Sequence, residues 1–382
     1  MKHIFIIGSR GLPAQYGGFE TFVEELVSHQ VSTDLIYHVA CLSDESQGQH
    51  WTYKGADCFS ICPPRLGPAR VIAYDMMAIR YALKLVKSQQ IERPIFYILG
   101  NTIGGWIAPF VHWIHRVGGQ VFVNPDGLEW KRAKWPRPVR AYLRYAEKKM
   151  AQHADLLIAD NPGIADYLTA HYPSSTSHCI AYGTDSRPTT LTIDSPEVRT
   201  FFSKWGLREK GYYLILGRFV PENNYATMIR EFMQTKTKRD LVLICNHEGL
   251  PYFQQLLDET GCQADQRIKF VGTVYDKELV RYLRAACRAY IHGHEVGGTN
   301  PGLLEALSHT NENLVLDVSF NRTVAGACAH YWTKEEGSLS DLIDRVDQAA
   351  EDLHLGQAAK THMRSQYSWE KIVQQYEELF LQ

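Results

Sequence analysis

The chain has 382 residues, of which 45% are hydrophobic and 21% charged, and its formal net charge is -2. This composition is typical of a globular protein, and the length exceeds what one hydrophobic core supports, which predicts two domains. The net charge excludes a protein that attracts polyanions through its overall field, although not a local basic patch. The apolar run at the N-terminus is too short for a signal peptide, and no apolar run reaches the ~20 residues of a membrane-spanning helix. With eight scattered cysteines, these features predict a cytoplasmic protein with reduced thiols.

Short apolar runs alternate with longer helical patterns along the chain, and each run predicts a strand. The predicted strands cover residues 3–8, 95–99, 120–124, 156–159, 212–216, 241–245, 268–271, 289–292 and 313–316. Strands this apolar need cover on both faces, which is typical of parallel sheets flanked by helices. The sequence therefore predicts two doubly wound, Rossmann-like α/β domains.

The predicted domains are separated by a polar segment. We place the N-terminal domain at residues 1–185, a linker at 186–210 and the C-terminal domain at 211–366. The tail, residues 367–382, has an amphipathic pattern opened by a serine N-cap, which predicts a helix packing back toward the N-terminal domain.

A glycine-rich loop joins the first strand to a helix that we expect to end near His29, and it contains Tyr16, Gly17 and Gly18. Glycines let backbone amides approach a ligand, and a helix N-terminus favours negative charge, so Gly17 and Gly18 are candidate donor-binding residues. The spacing differs from the compact G-x-G-x-x-G of nicotinamide-dependent dehydrogenases. A purely structural turn is the remaining alternative.

Residues 291–307 hold the most informative pattern. Asn300 is a good N-cap and Pro301 suits the first helical position. The backbone amides before this helix can form a diphosphate cradle that needs no metal. The cradle residues are Gly297, Gly298, Thr299 and Asn300. Glu305, one turn into the helix, could bind ribose hydroxyls; the alternative is a capped core helix with a solvated glutamate.

Metal binding is the competing interpretation of the same segment. His292 and His294 point the same way from a strand end, beside Glu295, but no third partner is evident. The sequence contains no Asp-x-Asp that would clamp a metal–diphosphate complex. We therefore expect no metal and no cofactor.

Polar residues follow other strands at their carboxyl ends, the edge where open α/β sheets bind ligands. Arg218 follows strand 212–216 and can donate two hydrogen bonds to phosphate oxygens. In the N-terminal domain we expect four residues at the reacting sugar, although each could instead serve a turn or a cap. They are Asp126, Lys131, Asp160 and Tyr182.

A basic and aromatic segment covers residues 131–149, with Lys134, Arg137, Arg140 and Arg144 among its cations. The apolar, aromatic segment 106–113 lies just upstream. Neither domain carries a nucleic-acid fold signature, so no nucleic-acid partner is expected. Contact with an anionic membrane explains both the basic and the aromatic content, and a solvated helix face is the alternative.

The chain resembles the bacterial rhamnosyltransferases within the retaining GT-B glycosyltransferase family 4, along essentially its whole length. The motifs that carry the resemblance are residues 6–13 (IIGSRGLP), 17–21 (GGFET), 126–132 (DGLEWKR), 217–224 and 292–305. The similarity is greatest to streptococcal-type β-1,4-rhamnosyltransferases of cell-wall and capsular polysaccharide synthesis.

The resemblance implies a GT-B fold, whose two domains face each other across a cleft, with an N-terminal acceptor domain and a C-terminal nucleotide-sugar domain. It implies dTDP-β-L-rhamnose as donor, and as acceptor N-acetylglucosamine or glucose on undecaprenyl diphosphate. The product would contain a β-1,4 linkage, made peripherally at the inner face of the plasma membrane.

Two positions depart from the wider family. Its first cradle glutamate is replaced by Gly297, which makes Glu295 a candidate substitute. Its phosphate-binding lysine is replaced by Asn223, which we keep as a candidate donor-binding residue. Two other hypotheses remain: a sugar-nucleotide epimerase of the same architecture, which needs no acceptor, and a non-catalytic sensor of nucleotide sugars.

Overall fold

A computed structural model describes residues 1–15, 17–132 and 135–382 of the chain. These residues form two compact units: unit 1 comprises Met1–Gly183 and Trp369–Gln382, and unit 2 comprises Thr184–Ser368. The segment 186–210, predicted to be a linker, lies within unit 2 and contains the helix Pro196–Trp205. This helix buries Val198 and Phe202 in the core of unit 2, so the segment is an integral part of that unit.

Unit 1 is a parallel sheet with one antiparallel edge pair, flanked by helices. Its strands are β1 (Lys2–Ile7), β2 (Leu35–Leu42), β3 (His50–Tyr53), β4 (Ala56–Ile61), β5 (Ile95–Leu99), β6 (Gln120–Asn124), β7 (Leu156–Ala159) and β8 (Ser177–Cys179). Its helices are α1 (Gly18–Ser28), α2 (Arg70–Ser88), α3 (Ile107–Arg116), α4 (Arg137–His153), α5 (Pro162–His171) and, at the C-terminus, α14 (Trp369–Leu381). Within the described residues the strand order is β3-β4-β2-β1-β5-β6-β7-β8, with only β3 and β4 antiparallel.

Unit 2 is a second parallel sheet between helices. Its strands are β9 (Tyr212–Leu216), β10 (Asp240–Ile244), β11 (Ile268–Gly272), β12 (Ala289–His292), β13 (Asn313–Leu316) and β14 (His330–Trp332). Its helices are α6 (Pro196–Trp205), α7 (Tyr225–Met233), α8 (Pro251–Thr260), α9 (Lys277–Ala286), α10 (Pro301–His309), α11 (Ser319–Ala325), α12 (Ser338–Gln348) and α13 (Leu353–Gln366). The strand order is β11-β10-β9-β12-β13-β14.

Alternate residues of β9 pack into different hydrophobic clusters. Tyr213 and Ile215 belong to one cluster, and Tyr212 and Leu214 belong to another. Side chains alternate between the two faces of a strand, so both faces of the sheet are covered. The apolar runs predicted this arrangement, and the expected pair of doubly wound α/β folds is confirmed.

The C-terminal helix α14 packs within unit 1. The Tyr376 hydroxyl lies 3.1 Å from that of Tyr97 in β5, and the Glu377 carboxylate accepts hydrogen bonds from the backbone of Val31 and Ser32. Phe22 of α1 packs its ring against Tyr376. Unit 1 is therefore built from both ends of this chain.

Across the part of the chain that the structure describes, none of the helices combines the length and the apolar character needed to cross a membrane.

Candidate functional site

Unit 2 places two loops at one sheet edge. The strand β9 lies between β10 and β12, so the chain order reverses beside β9 and opens a crevice at the carboxyl ends of β9 and β12. Residues 217–224 follow β9, and residues 293–300 follow β12. His294 Nδ1 lies 2.7 Å from Asn223 Oδ1, and Asn224 Nδ2 donates to the Gly293 carbonyl at 2.8 Å. The two loops are therefore hydrogen-bonded to each other and form one candidate site.

The helix α10 begins in this site. The Asn300 side chain accepts from the backbone N–H groups of Gly302 (2.8 Å) and Leu303 (3.3 Å), which confirms it as the N-cap with Pro301 first in the helix. Gly297 has a φ of 135°, a conformation that L side chains rarely adopt. Thr299 is buried, and Gly298 is partly buried. The predicted cradle thus lies at the positive end of a capped helix.

Arg218 is exposed at the carboxyl end of β9, and its guanidinium forms no ion pair with any described residue. Its carbonyl accepts a hydrogen bond from Asn223 Nδ2 at 2.7 Å. Because the Asn223 amide contacts both Arg218 and His294, this residue connects the two loops. Among the described residues of these two loops, Arg218 is the cation that is left without an ion pair.

The two glutamates predicted to contact the donor both have cationic partners. Glu305 Oε2 lies 2.6 Å from Nη1 of Arg284, an arginine of α9 that is 2% exposed. Glu295 forms an ion pair with Lys334, and its backbone N–H donates to the Glu222 carbonyl at 3.2 Å.

His292, at the end of β12, is buried beneath these loops. Burial lowers the pKa of His292 to about 3, with further lowering from His294 and Arg284, so its imidazole is neutral at pH 7. Among residues 1–15, 17–132 and 135–382, no group of three or more His, Cys, Asp or Glu side chains is placed to hold a metal ion.

In unit 1 the order reverses at β1 and β5, and the glycine-rich loop follows β1. Gly17 has a φ of 135°, and a Cβ there would lie 1.8 Å from Oε2 of Glu20. Glu20 in turn accepts from the Arg10 backbone N–H at 2.7 Å. Gly17 is therefore favoured by its own backbone conformation, which a side chain would strain, and Gly18 is the exposed first residue of α1.

Asp126, Asp160 and Tyr182 converge at the carboxyl edge of the same sheet. Burial raises the pKa of Tyr182 well above its usual value, with additional contributions from the charges of Asp160 and Asp126. Tyr182 is therefore a neutral hydroxyl and not a phenolate nucleophile. Asp126 has a φ of 60°, an uncommon backbone conformation of the kind that is concentrated at functional sites.

Comparison with solved structures reveals the same architecture over the full chain. Sucrose-phosphate synthase from Thermosynechococcus elongatus superposes with a TM-score of 0.79 at 14% identity, covering 100% of this chain and 98% of that one. HepE of Anabaena in complex with UDP gives 0.70 at 14% identity, covering 99% of both chains. A trehalose-phosphate synthase from Burkholderia xenovorans, in complex with glucose-6-phosphate, gives 0.72 at 10% identity, covering 100% of both. The chain has the GT-B fold.

Comparison of the sequence with known families is less informative than the comparison with solved GT-B structures. Residues 1–185, slightly less than half of the chain, match a family described as a domain of unknown function, DUF1972. A comparison with curated proteins returns no match.

Asp126, Asp160 and Tyr182 form what we call the unit 1 cluster, and Lys131 is the fourth residue that was predicted at the reacting sugar. Lys131 is exposed, with Nζ 5.4 Å from the ring centroid of Trp130 and 6.0 Å from that of Tyr167. Its contacts are therefore with aromatic faces. Tyr16 and Lys134 lie outside the described residues.

Beside the unit 1 cluster lie residues that the sequence did not single out as site residues. Tyr97 lies in the middle of β5 and Asn124 ends β6; burial raises the pKa values of Tyr97 and Tyr182, and the Asn124 side chain partly offsets that rise. Tyr376 reaches the same cluster from α14. Asn124 could have been identified from its position at a strand end, whereas Tyr376 carries no local signal.

Proposed function

We propose that this chain is a retaining glycosyltransferase that transfers L-rhamnose from dTDP-β-L-rhamnose to a lipid-linked sugar. The observation that carries the proposal is the site of unit 2, where the exposed Arg218 shares a crevice with the capped N-terminus of α10. A cation and a helix N-terminus together suit a diphosphate. The GT-B neighbours support the reaction class, since HepE was solved in complex with UDP and the trehalose-phosphate synthase in complex with glucose-6-phosphate.

The acceptor, N-acetylglucosamine or glucose on undecaprenyl diphosphate, is assigned to unit 1 in this proposal. Asp126, Asp160 and Tyr182 supply carboxylates and a neutral hydroxyl at one sheet edge, which suits the binding of sugar hydroxyls. In the reaction an acceptor hydroxyl oxygen bonds to C1 of rhamnose while the C1–O bond to the diphosphate breaks. The hydroxyl proton passes to the departing diphosphate, and attack occurs on the face from which the diphosphate leaves. The resulting linkage is β-1,4.

We further propose that the departing charge is stabilised by Arg218 and by α10, so that no divalent metal is needed. The function is tested by incubating the pure protein with dTDP-β-L-rhamnose and synthetic lipid-linked acceptors in excess EDTA. Rhamnosylated product is the expected result. Donor turnover without acceptor would favour an epimerase, and activity that requires added magnesium or manganese would overturn the metal-free proposal.

Replacing Arg218 by Ala should weaken dTDP binding about ten- to a hundredfold, because it removes a charge-assisted contact to phosphate. Isothermal titration calorimetry measures the effect. The matched control is Arg230→Ala, which removes an exposed arginine of the same unit that pairs with Glu259 instead. Unchanged affinity in Arg218→Ala would remove this residue from the site.

The proposed function also includes contact between unit 1 and an anionic membrane. Trp106 and Trp113 are 47% and 41% exposed, and the cations Arg137 and Lys148 are exposed on α4. Since α3 packs against α4, the tryptophans and these cations belong to one region of unit 1. Exposed tryptophans beside basic residues suit the interface of an anionic bilayer.

Reversing two of these charges, Arg137→Glu with Lys148→Glu, should lower binding to phosphatidylserine vesicles at least about tenfold at low salt. Arg140 and Arg144 are left intact because they contact Trp130, one through its carbonyl and the other through its ring. Co-sedimentation with vesicles measures the loss. The charge-matched control reverses Arg199 and Lys204 on α6, and equal loss in both variants would contradict a specific membrane face.

A further inference from the structure

Asn101 lies just after β5, beside the turn that contains Asp126. It is 9% exposed, and its Nδ2 donates a hydrogen bond to the Pro125 carbonyl at 2.6 Å. The backbone of the same segment joins the end of β6, because the Gly100 N–H donates to the Asn124 carbonyl at 2.8 Å. The amide of Asn101 therefore connects the end of β5 to the peptide unit that precedes Asp126.

The peptide unit between Pro125 and Asp126 is held at both of its polar atoms. Asn101 donates to its carbonyl oxygen, and its N–H, which belongs to Asp126, donates to Asn124 Oδ1 at 2.9 Å. The φ of Asp126, 60°, is the rotation that directly follows this peptide unit, and residues other than glycine rarely adopt such a value. A conformation of this kind persists only where the surrounding contacts fix it. The two asparagine side chains provide such contacts.

The segment that carries Asn101 is itself anchored. The Tyr142 hydroxyl donates to the Thr102 carbonyl at 2.6 Å, and the Gly104 N–H donates to the Asn101 carbonyl at 3.0 Å. A Cβ on Gly104 would lie 2.1 Å from the carbonyl oxygen of Ala146, so this turn packs tightly against α4. Asn101 is therefore a fixed hydrogen-bond donor.

We propose that Asn101 is a positioning residue, which keeps the Asp126 carboxylate beside Tyr182 by fixing the peptide unit that precedes Asp126. Burial raises the pKa of Tyr182, and the charges of Asp160 and Asp126 raise it further, which indicates that the Asp126 carboxylate lies near this hydroxyl. Rotation about the N–Cα bond of Asp126 would move the carboxylate away, and a shift of ~1 Å at a reacting group can lower the rate about a hundredfold. This inference rests on the proposed function, in which the acceptor binds at the unit 1 cluster.

Asn101→Leu removes the donor and nearly keeps the volume of the side chain. It should lower kcat for sugar transfer at least about tenfold and leave the dissociation constant of dTDP, assigned to unit 2, unchanged. In an Asp126→Asn background the same substitution should cost less than about twofold, because the carboxylate that Asn101 positions is then absent, while asparagine still accepts a positive φ. Costs that multiply in the double variant would overturn the inference, since Asn101 would then act independently of Asp126.

A second measurement needs no substrate. Hydrogen exchange of the Asp126 amide, followed by NMR, should become at least about tenfold faster in Asn101→Leu, while the amides of β6 keep their wild-type rates. Asn101→Ala provides the same test if Asn101→Leu does not fold. The control is Gln30→Ala, which removes another amide donor of unit 1, bonded to the carbonyls of Ser32 and Leu35, and should change neither this exchange nor kcat.

The two measurements separate this inference from the proposed function. Unchanged exchange at Asp126 in the folded Asn101 variants would overturn the inference. Faster exchange in these variants, together with no rhamnose transfer by the wild-type protein, would overturn the proposed function.

Discussion

Asp160→Asn combined with Tyr182→Phe should lower the rate of sugar transfer at least about a hundredfold, the cost of misplacing a reacting partner by ~1 Å. Both residues are buried at the edge of the unit 1 sheet, and burial raises the pKa of Tyr182, so its neutral hydroxyl can donate a hydrogen bond to a ligand. The double substitution removes that donor and one carboxylate charge with little change in volume. Binding of dTDP, assigned to unit 2, should not change.

The measurement pairs steady-state transfer with calorimetry of dTDP on the same preparation. Tyr37→Phe is the control for loss of a buried hydroxyl, since Tyr37 is also fully buried in unit 1. Normal turnover in the double variant would show that both residues have a purely structural role. NMR of the wild-type product adds a second test, because an α-linked rhamnose would exclude retention.

Acidification from pH 7.5 to pH 5 should destabilise unit 2 by about 4 kcal/mol, from two histidines at about 1.4 kcal/mol per pH unit each. The pKa of His292 is lowered to about 3 and that of His309 to about 4, in both cases first by burial. An unfolded histidine binds a proton below about pH 6.5, whereas these two remain neutral in the folded protein. The stability is therefore fully present above pH 6.5 and is lost as the pH falls toward the folded-state pKa values.

Hydrogen exchange of the β12 segment, measured by mass spectrometry, reports the opening of unit 2 by itself. His292→Gln and His309→Gln should each make the loss of protection between pH 6.5 and 5 less steep. His354→Gln, an exposed histidine on α13, serves as the control and should keep the wild-type slope. The same slope in all four proteins would show that other groups govern acid stability.

Much of the fold was accessible from local sequence because buried parallel strands are uninterrupted apolar runs. The predicted bounds of 95–99, 212–216 and 289–292 match β5, β9 and β12. The missed strands include the short edge strands β3 and β14; β3 has no buried residue and β14 buries only Trp332, so neither leaves an apolar run. The helix α6 was missed because its segment is polar overall and buries only Val198 and Phe202.

Site features formed by residues that are close in sequence were predictable, and features formed by residues that are distant in sequence were not. The Asn300 cap is a local hydrogen-bond pattern, readable from Asn-Pro before an apolar run. The pairing of Arg284 with Glu305 joins two helices that are separated by β12, and Tyr97 meets Tyr376 across most of the chain. No spacing rule connects such pairs, since only the folded topology brings them together.

The placement of α14 in unit 1 has a consequence for synthesis on the ribosome. Unit 2 is one continuous stretch, Thr184–Ser368, whereas unit 1 needs Trp369–Gln382 for its completion. At translation rates of about 5–20 residues per second, the segment Met1–Gly183 of unit 1 waits roughly 10 to 40 s for the last helix of that unit. During that interval Phe22 and Tyr97 lack the cover that Tyr376 provides. Unit 2, although second in sequence, can therefore finish folding before unit 1, while nascent unit 1 still exposes these aromatic side chains.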